Sequence, residues 1–195
     1  GSVLSRRGSF LMSKAVVFLA DGFEECEGLL AVDLLRRAGC AVDTASISKQ
    51  RQITSSHGVC LMADALAAEV DFSDVDMIVL PGGMPGTSHL AGSSVVAAQC
   101  RAFAADPHKW VAAICAAPSV LASLGLLQGK NATCHPLFEQ QLTGAAVTHE
   151  GVTVDGNIIT GRGLGSAIPF ALELVKRLTD EATAEKIRAA ICYNG

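Results

Sequence analysis

The chain has no dense cluster of lysine and arginine, and its formal net charge is -4. That removes the electrostatic footprint of a nucleic-acid-binding surface and leaves little attraction to an anionic membrane. Charged residues make up only 17% against 50% hydrophobic, which excludes the composition of a disordered chain. No stretch stays apolar for the length a membrane span needs. The opening GSVLSRRGSFLMSK has two arginines but lacks the apolar core and small-residue cleavage site of a signal peptide. Seven cysteines, an odd number without regular spacing or any CxxC pair, exclude a disulfide scaffold and a zinc or dithiol motif. Nor do His57, His89, His108 and His149 have ligand spacing, so neither a metal site nor a cofactor is expected. With no linker or repeat, residues 1–11 read as an appended remnant and 12–195 as one cytoplasmic domain with free thiols.

What is present alternates between buried strands and amphipathic helices. Ala15–Ala20, Ala41–Ile47, Met77–Leu80 and Val111–Ile114 are apolar runs of strand length. Between and after them, Glu24–Ala38, Ser93–Ala105, Ser166–Leu178 and about Glu181–Ala190 read as helices. Val59–Met62 reads as a short edge strand, Asn131–His135 as a further strand, and Val152–Val154 with Ile158–Thr160 as a hairpin turning at Asp155-Gly156. This order predicts an α/β sandwich, with a mainly parallel central sheet, helices on both faces and edge hairpins. Ligands of such sheets bind beyond the carboxyl ends of the strands.

The residues with chemistry to offer follow strands. Cys115 ends the run Val111–Ile114, and a helix begins just after it with Pro118 in its first turn. A thiol at a helix N-terminus gains from the N–H groups and the dipole, which lower its pKa and make it a candidate nucleophile. The alternative is a buried cysteine acting as a small hydrophobe. Glu24, Glu25 and Glu27 open the first long helix. Glu27 shares a side with Leu30 and Leu34 and so points inward, where burial favours a protonated carboxyl able to donate to a thiolate and to act as acid and base. Gly82 and Gly83 suit a turn with backbone N–H groups facing a ligand; together with the N–H of Ala116 they form a candidate oxyanion hole. His135 is a candidate base near Cys115, or else a structural histidine.

DGFEECE at 21–27, LPGG at 80–83, AAICAAP at 112–118, TCHP at 133–136 and Gly161-Arg162-Gly163 with Gly165 resemble, in order and spacing, the ThiJ/PfpI superfamily. Within it they are most similar to the branch of the Parkinsonism-associated protein deglycase and bacterial YajL. The resemblance implies a flavodoxin-like sandwich, a homodimer, Cys115 as nucleophile and Glu27 as acid. It also implies glyoxalase or deglycase activity on methylglyoxal, glyoxal or their adducts, with oxidative-stress sensing and chaperone roles as the alternative. Ala116 stands where the proteolytic branch has histidine. His57 stands where close relatives carry an arginine near the pocket, and Leu164 replaces the proline of an Arg-Gly-Pro-Gly loop. Gly82, His57 and Arg37 are therefore candidate substrate-binding residues, with Arg36 and Arg37 placed to bring a cation near a partner's pocket.

Overall fold

The structure is a computed structural model that describes residues 12–195; the stretch read as a remnant, residues 1–11, lies outside the described residues. In chain order the strands are β1 Lys14–Leu19, β2 Ala41–Ser46, β3 Gln52–Thr54, β4 Cys60–Met62, β5 Ala65–Leu66, β6 Met77–Leu80, β7 Trp110–Ile114, β8 Asn131–Ala132, β9 Ala146–Val147, β10 Val152–Asp155 and β11 Ile158–Gly161. The α-helices are α1 Glu25–Arg37, α2 Gly86–Ala91, α3 Ser94–Ala105, α4 Pro118–Ser123, α5 Ala167–Leu178 and α6 Glu181–Ala190.

Seven strands form one sheet in the order β10-β11-β7-β6-β1-β2-β5, parallel throughout except for the β10–β11 hairpin. The mainly parallel α/β sheet expected from the alternation, and the flavodoxin-like fold that the resemblance implies, are thus present. Alternation along β1 divides the core. Ala15, Val17 and Leu19 face one layer with Leu34 and Leu35 of α1, Phe170 and Leu174 of α5 and Ile187 of α6. Val16, Phe18 and Ala20 face the other, with Leu90 of α2, Val96 and Phe103 of α3 and Val120 of α4. A strand buried on both faces has no polar side to display, which is why β1 and β7 read as unbroken apolar runs.

Several edge features differ from the expectation. The Val59–Met62 strand starts at Cys60 and pairs with β3 in a separate two-stranded ribbon, leaving β5, beside β2, as the sheet's edge. The strand expected over Asn131–His135 stops at Ala132, pairs with β9, and gives way to a 3-10 turn that His135 caps. Helix α2 has no long periodic face, since it spans only six residues.

The chain leaves β1 toward β2 on one side and returns to β6 on the other. The loops after β1 and β6 therefore diverge and open a crevice at the carboxyl edge, the usual ligand position in such sheets. The DGFEECE stretch, the Pro81-Gly82-Gly83 turn and, one strand further, Cys115 all lie at this edge.

Candidate active site

Cys115 adopts φ 65°, the left-handed region, directly after β7. For a residue with a Cβ this costs about 1–2 kcal/mol, so its surroundings must hold it there. Its N–H donates to the Gly161 carbonyl at 2.9 Å, and its own carbonyl accepts the His135 N–H at 2.8 Å. The side chain is half-buried and turned toward the crevice loops. Pro118 occupies the first turn of α4, as its missing N–H allows.

Glu27 is 2% exposed. It sits one turn into α1, which Glu24 caps by accepting the Glu27 N–H at 2.7 Å. Its Oε1 accepts the Gly82 N–H at 3.1 Å, and the carboxyl lies within hydrogen-bonding reach of Cys115. Burial, with the charge of Glu24 added, pushes Glu27 up to about 7, against the opposing pull of its bonds to Cys115 and Gly82.

The thiol does not follow the helix-dipole expectation. Burial first, then the charge and hydrogen bond of an ionised Glu27, push Cys115 up to about 12. The N–H groups of Ala116 and Gly83 bond toward the sulfur and pull the other way more weakly. A helix of six residues adds little dipole. The two upward pushes from Glu27 exist only while its carboxyl is ionised. Once the carboxyl takes the proton, the sulfur faces two N–H donors and a neutral acid, so the titrations of the two groups are coupled.

Gly83 is at φ +93°, and a Cβ there would stand 2.4 Å from the Glu24 nitrogen, so the turn that aims its N–H requires glycine. Glu24 in turn donates its N–H to the Gly82 carbonyl at 2.8 Å, stapling the start of α1 to this turn.

Other expected residues are placed differently. The His135 ring is committed elsewhere: Nδ1 accepts the Leu137 N–H at 3.2 Å and caps the 3-10 turn over Pro136–Gln141. What joins His135 to Cys115 is its backbone. His57 is exposed, with Nδ1 3.0 Å from Glu25 and 3.7 Å from Glu24, and its pKa is raised by Glu25. Among the described residues, Glu24, Glu25 and His57 bring ligand-type atoms within 4.8 Å of one another, a proximity that sequence spacing concealed; the cap of Glu24 and the His57–Glu25 pair already engage them. Arg37 pairs with Asp33 at the far end of α1. Ten residues from Glu27, it is about 15 Å away along the axis and does not reach Cys115 within one chain. Leu164 is 53% exposed beside Gly163, where an added Cβ would stand 3.8 Å from the His135 ring. The Gly161 carbonyl and the buried Thr133 and Thr160 stand behind the elbow, and no local motif marks that role.

A cysteine on a strained strand-to-helix elbow, facing a buried carboxyl and two backbone donors at the switch point of a parallel sheet, defines a cysteine-centred protein of the flavodoxin-like class. The family model described as the DJ-1/PfpI family matches residues 13–177, and the chain belongs to that family. It is 37% identical to protein dj-1beta of Drosophila melanogaster over 188 residues, covering 94% of this chain and all of the relative. It is 32% identical to a deglycase of Thermococcus kodakarensis, covering 85% of this chain and 99% of that one. The solved structure titled Toxoplasma gondii DJ-1, oxidized, superposes with a TM-score of 0.90 at 38% identity, covering 94% of this chain and all of that one. The chain spans 40% of the length of the Arabidopsis thaliana protein DJ-1 homolog B, to which it is 35% identical over 89% of its own residues. Among the described residues no helix is long and apolar enough to cross a membrane.

Proposed function

We propose that this protein is a cysteine enzyme for reactive α-oxoaldehydes such as methylglyoxal, or for their adducts on proteins or nucleotides, working without a cofactor. The observation that carries the reading is the meeting of half-buried Cys115 with the buried Glu27 within hydrogen-bonding reach, the carboxyl being pushed up to about 7 so that near neutrality it can both take and return a proton. Sulfur adds to the aldehyde carbon, and the resulting oxyanion accepts the N–H groups of Gly83 and Ala116. Glu27 in its ionised form takes the thiol proton as sulfur adds and returns it to the oxyanion, which gives the hemithioacetal. The regenerated carboxylate takes the proton of the former aldehyde carbon and delivers it to the neighbouring carbon, while the hydroxyl proton passes to the former ketone oxygen, leaving a thioester of the 2-hydroxy acid. Water hydrolyses the thioester, releasing the acid and restoring the thiol. The His135 ring, engaged as a cap, has an orienting part in this scheme. The relative named as a deglycase supports the same chemistry.

The test is lactate formation from methylglyoxal with neither glutathione nor metal added. Lactate from the wild type and none from Cys115→Ser is the expected result. No lactate from folded wild type, together with stoichiometric oxidation of Cys115 by peroxide, would favour the second reading, an oxidative-stress sensor or redox-regulated chaperone. In that case a sulfinate occupies the place of the oxyanion and Glu27 donates to it. The oxidized state named for the Toxoplasma relative is the observation behind this alternative. We also propose a homodimer that uses the outer face of α1, where Leu29 is 38% exposed beside Arg36 and Arg37.

A further inference from the structure

The peptide groups on either side of Cys115 are held by two distant segments. Its N–H is taken by the Gly161 carbonyl at the end of β11, and its carbonyl is taken by the His135 N–H beyond β8. Both holds lead to one hydroxyl. Thr160 is the residue before Gly161, and its Oγ1 accepts the N–H of Thr133, two residues before His135, at 3.0 Å. Thr160 is 1% and Thr133 0% exposed, so no solvent is at hand to replace that acceptor.

The bond is needed because the ladder has run out. The β8–β9 pairing ends with the Ala132 carbonyl accepting the Thr148 N–H, and from Thr133 onward the segment has no strand partner. Thr133 is instead tied at two points: its N–H to Thr160, and its own hydroxyl to the Glu150 carbonyl at 2.6 Å. The Thr160 hydroxyl in turn aims its proton at the Thr153 carbonyl, 3.5 Å away on the facing strand β10. Removing the hydroxyl orphans a buried N–H and frees the segment that brings His135 to the elbow.

We infer that Thr160 is a positioning residue for Cys115, its hydroxyl coupling the two backbone bonds that keep the nucleophile in its left-handed conformation. The inference rests on Cys115 being the reactive centre, and the sulfur itself can be read out separately from turnover. The Thr160 hydroxyl bonds to Thr133 and Thr153 and not to the sulfur or the Gly82-Gly83 turn, so its effect falls on the geometry of the thiol rather than on substrate affinity.

The experiment compares Thr160→Val, which keeps shape and loses the acceptor, with Thr160→Ser, which keeps the hydroxyl. Cys115 alkylation by iodoacetamide is followed by mass spectrometry across pH, together with kcat and KM for methylglyoxal. In Thr160→Val the limiting alkylation rate at Cys115 and kcat are expected to fall about tenfold or more, with KM within about twofold, as for a misplaced catalytic group. The alkylation midpoint should move by about half a pH unit, and labelling of exposed Cys26 should be unchanged. Thr160→Ser should restore both rates. A folded Thr160→Val with the wild-type profile at Cys115 overturns the inference, whether or not the protein turns over aldehydes; loss of turnover alone, with alkylation intact in the wild type, would count against the proposed enzyme only. If Thr160→Val does not fold, amide exchange in the wild type decides. Thr133, His135 and Cys115 should exchange as one unit, and an independently fast Thr133 amide overturns the inference.

Discussion

Glu27 and Cys115 meet across the α-carbon of Gly82. A Cβ added to Gly82 would stand 2.7 Å from Glu27 Oε1 and 2.6 Å from Cys115 Cβ, with the Ile114 carbonyl oxygen at 2.9 Å. Gly82 also donates its N–H to the same Oε1. The proton of a neutral Glu27 is thereby assigned to its other oxygen, because an oxygen accepting from an N–H is poorly placed to carry an O–H. Gly82 thus serves as both spacer and director for the pair.

Gly82→Ala should therefore force acid and thiol apart. Two of the three atoms in its way, Cys115 Cβ and the Ile114 carbonyl oxygen, are held by the main chain, and the third is the Glu27 carboxyl itself, so relief comes only by moving the acid; overpacking of this kind costs about 1–3 kcal/mol. Expected are a lower urea midpoint and a large drop in the rate of Cys115 alkylation. Wild-type values for both would show that the turn relaxes without disturbing the pair.

The raised pKa of Glu27 predicts a pH-dependent stability. A carboxyl at about 7 in the folded state and 4.5 in its ordinary state binds its proton more tightly when folded. Its contribution is complete below the lower value and is lost as pH rises through the upper one. Between pH 5 and 8 the wild type should lose about 2 kcal/mol relative to Glu27→Gln, whose side chain does not titrate. His57 and Glu25 are common to both proteins and cancel in the comparison. Urea unfolding at the two pH values measures the difference, and parallel behaviour would mean that Glu27 is ionised throughout.

Turnover distinguishes the acid from its neighbour. Glu27→Gln removes the transferable proton and should lower kcat on the order of a hundredfold while Cys115 stays alkylatable. Glu24→Gln keeps an oxygen able to cap the Glu27 N–H, so it should change kcat by less than about threefold. The reverse ranking would move the proton carrier to the cap position.

Assembly is tested by sedimentation. The wild type should run as a dimer at micromolar concentration, and Leu29→Glu on the exposed face of α1 should yield monomer. A wild-type monomer would remove the interface, and with it any route by which Arg37 reaches a pocket.

The sequence alone determined the layered fold, since strands buried on both faces must be continuously apolar and their helices must carry one apolar stripe. It also determined that Cys115 stands at a strand-to-helix elbow and that Glu27 faces inward, because both follow from local spacing. Elements of two residues, such as β5 and β9, leave no period to read, and only long-range pairing reveals them, as it does the early end of β8. Tertiary structure decided the chemistry of the candidate residues. Burial and an adjacent carboxylate outweigh a short helix dipole at Cys115, a desolvation balance that no motif contains. The His135 ring caps a turn while its N–H holds the nucleophile, and His57 finds Glu25 from 32 residues away. Thr160 reaches Thr133 only because the β8 segment loses its own pairing at Ala132 and comes to lie over the β10–β11 hairpin. Hydrogen bonds between residues distant in the chain depend on where the backbone ends up, and that is set by packing of the whole molecule rather than by any local run of residues.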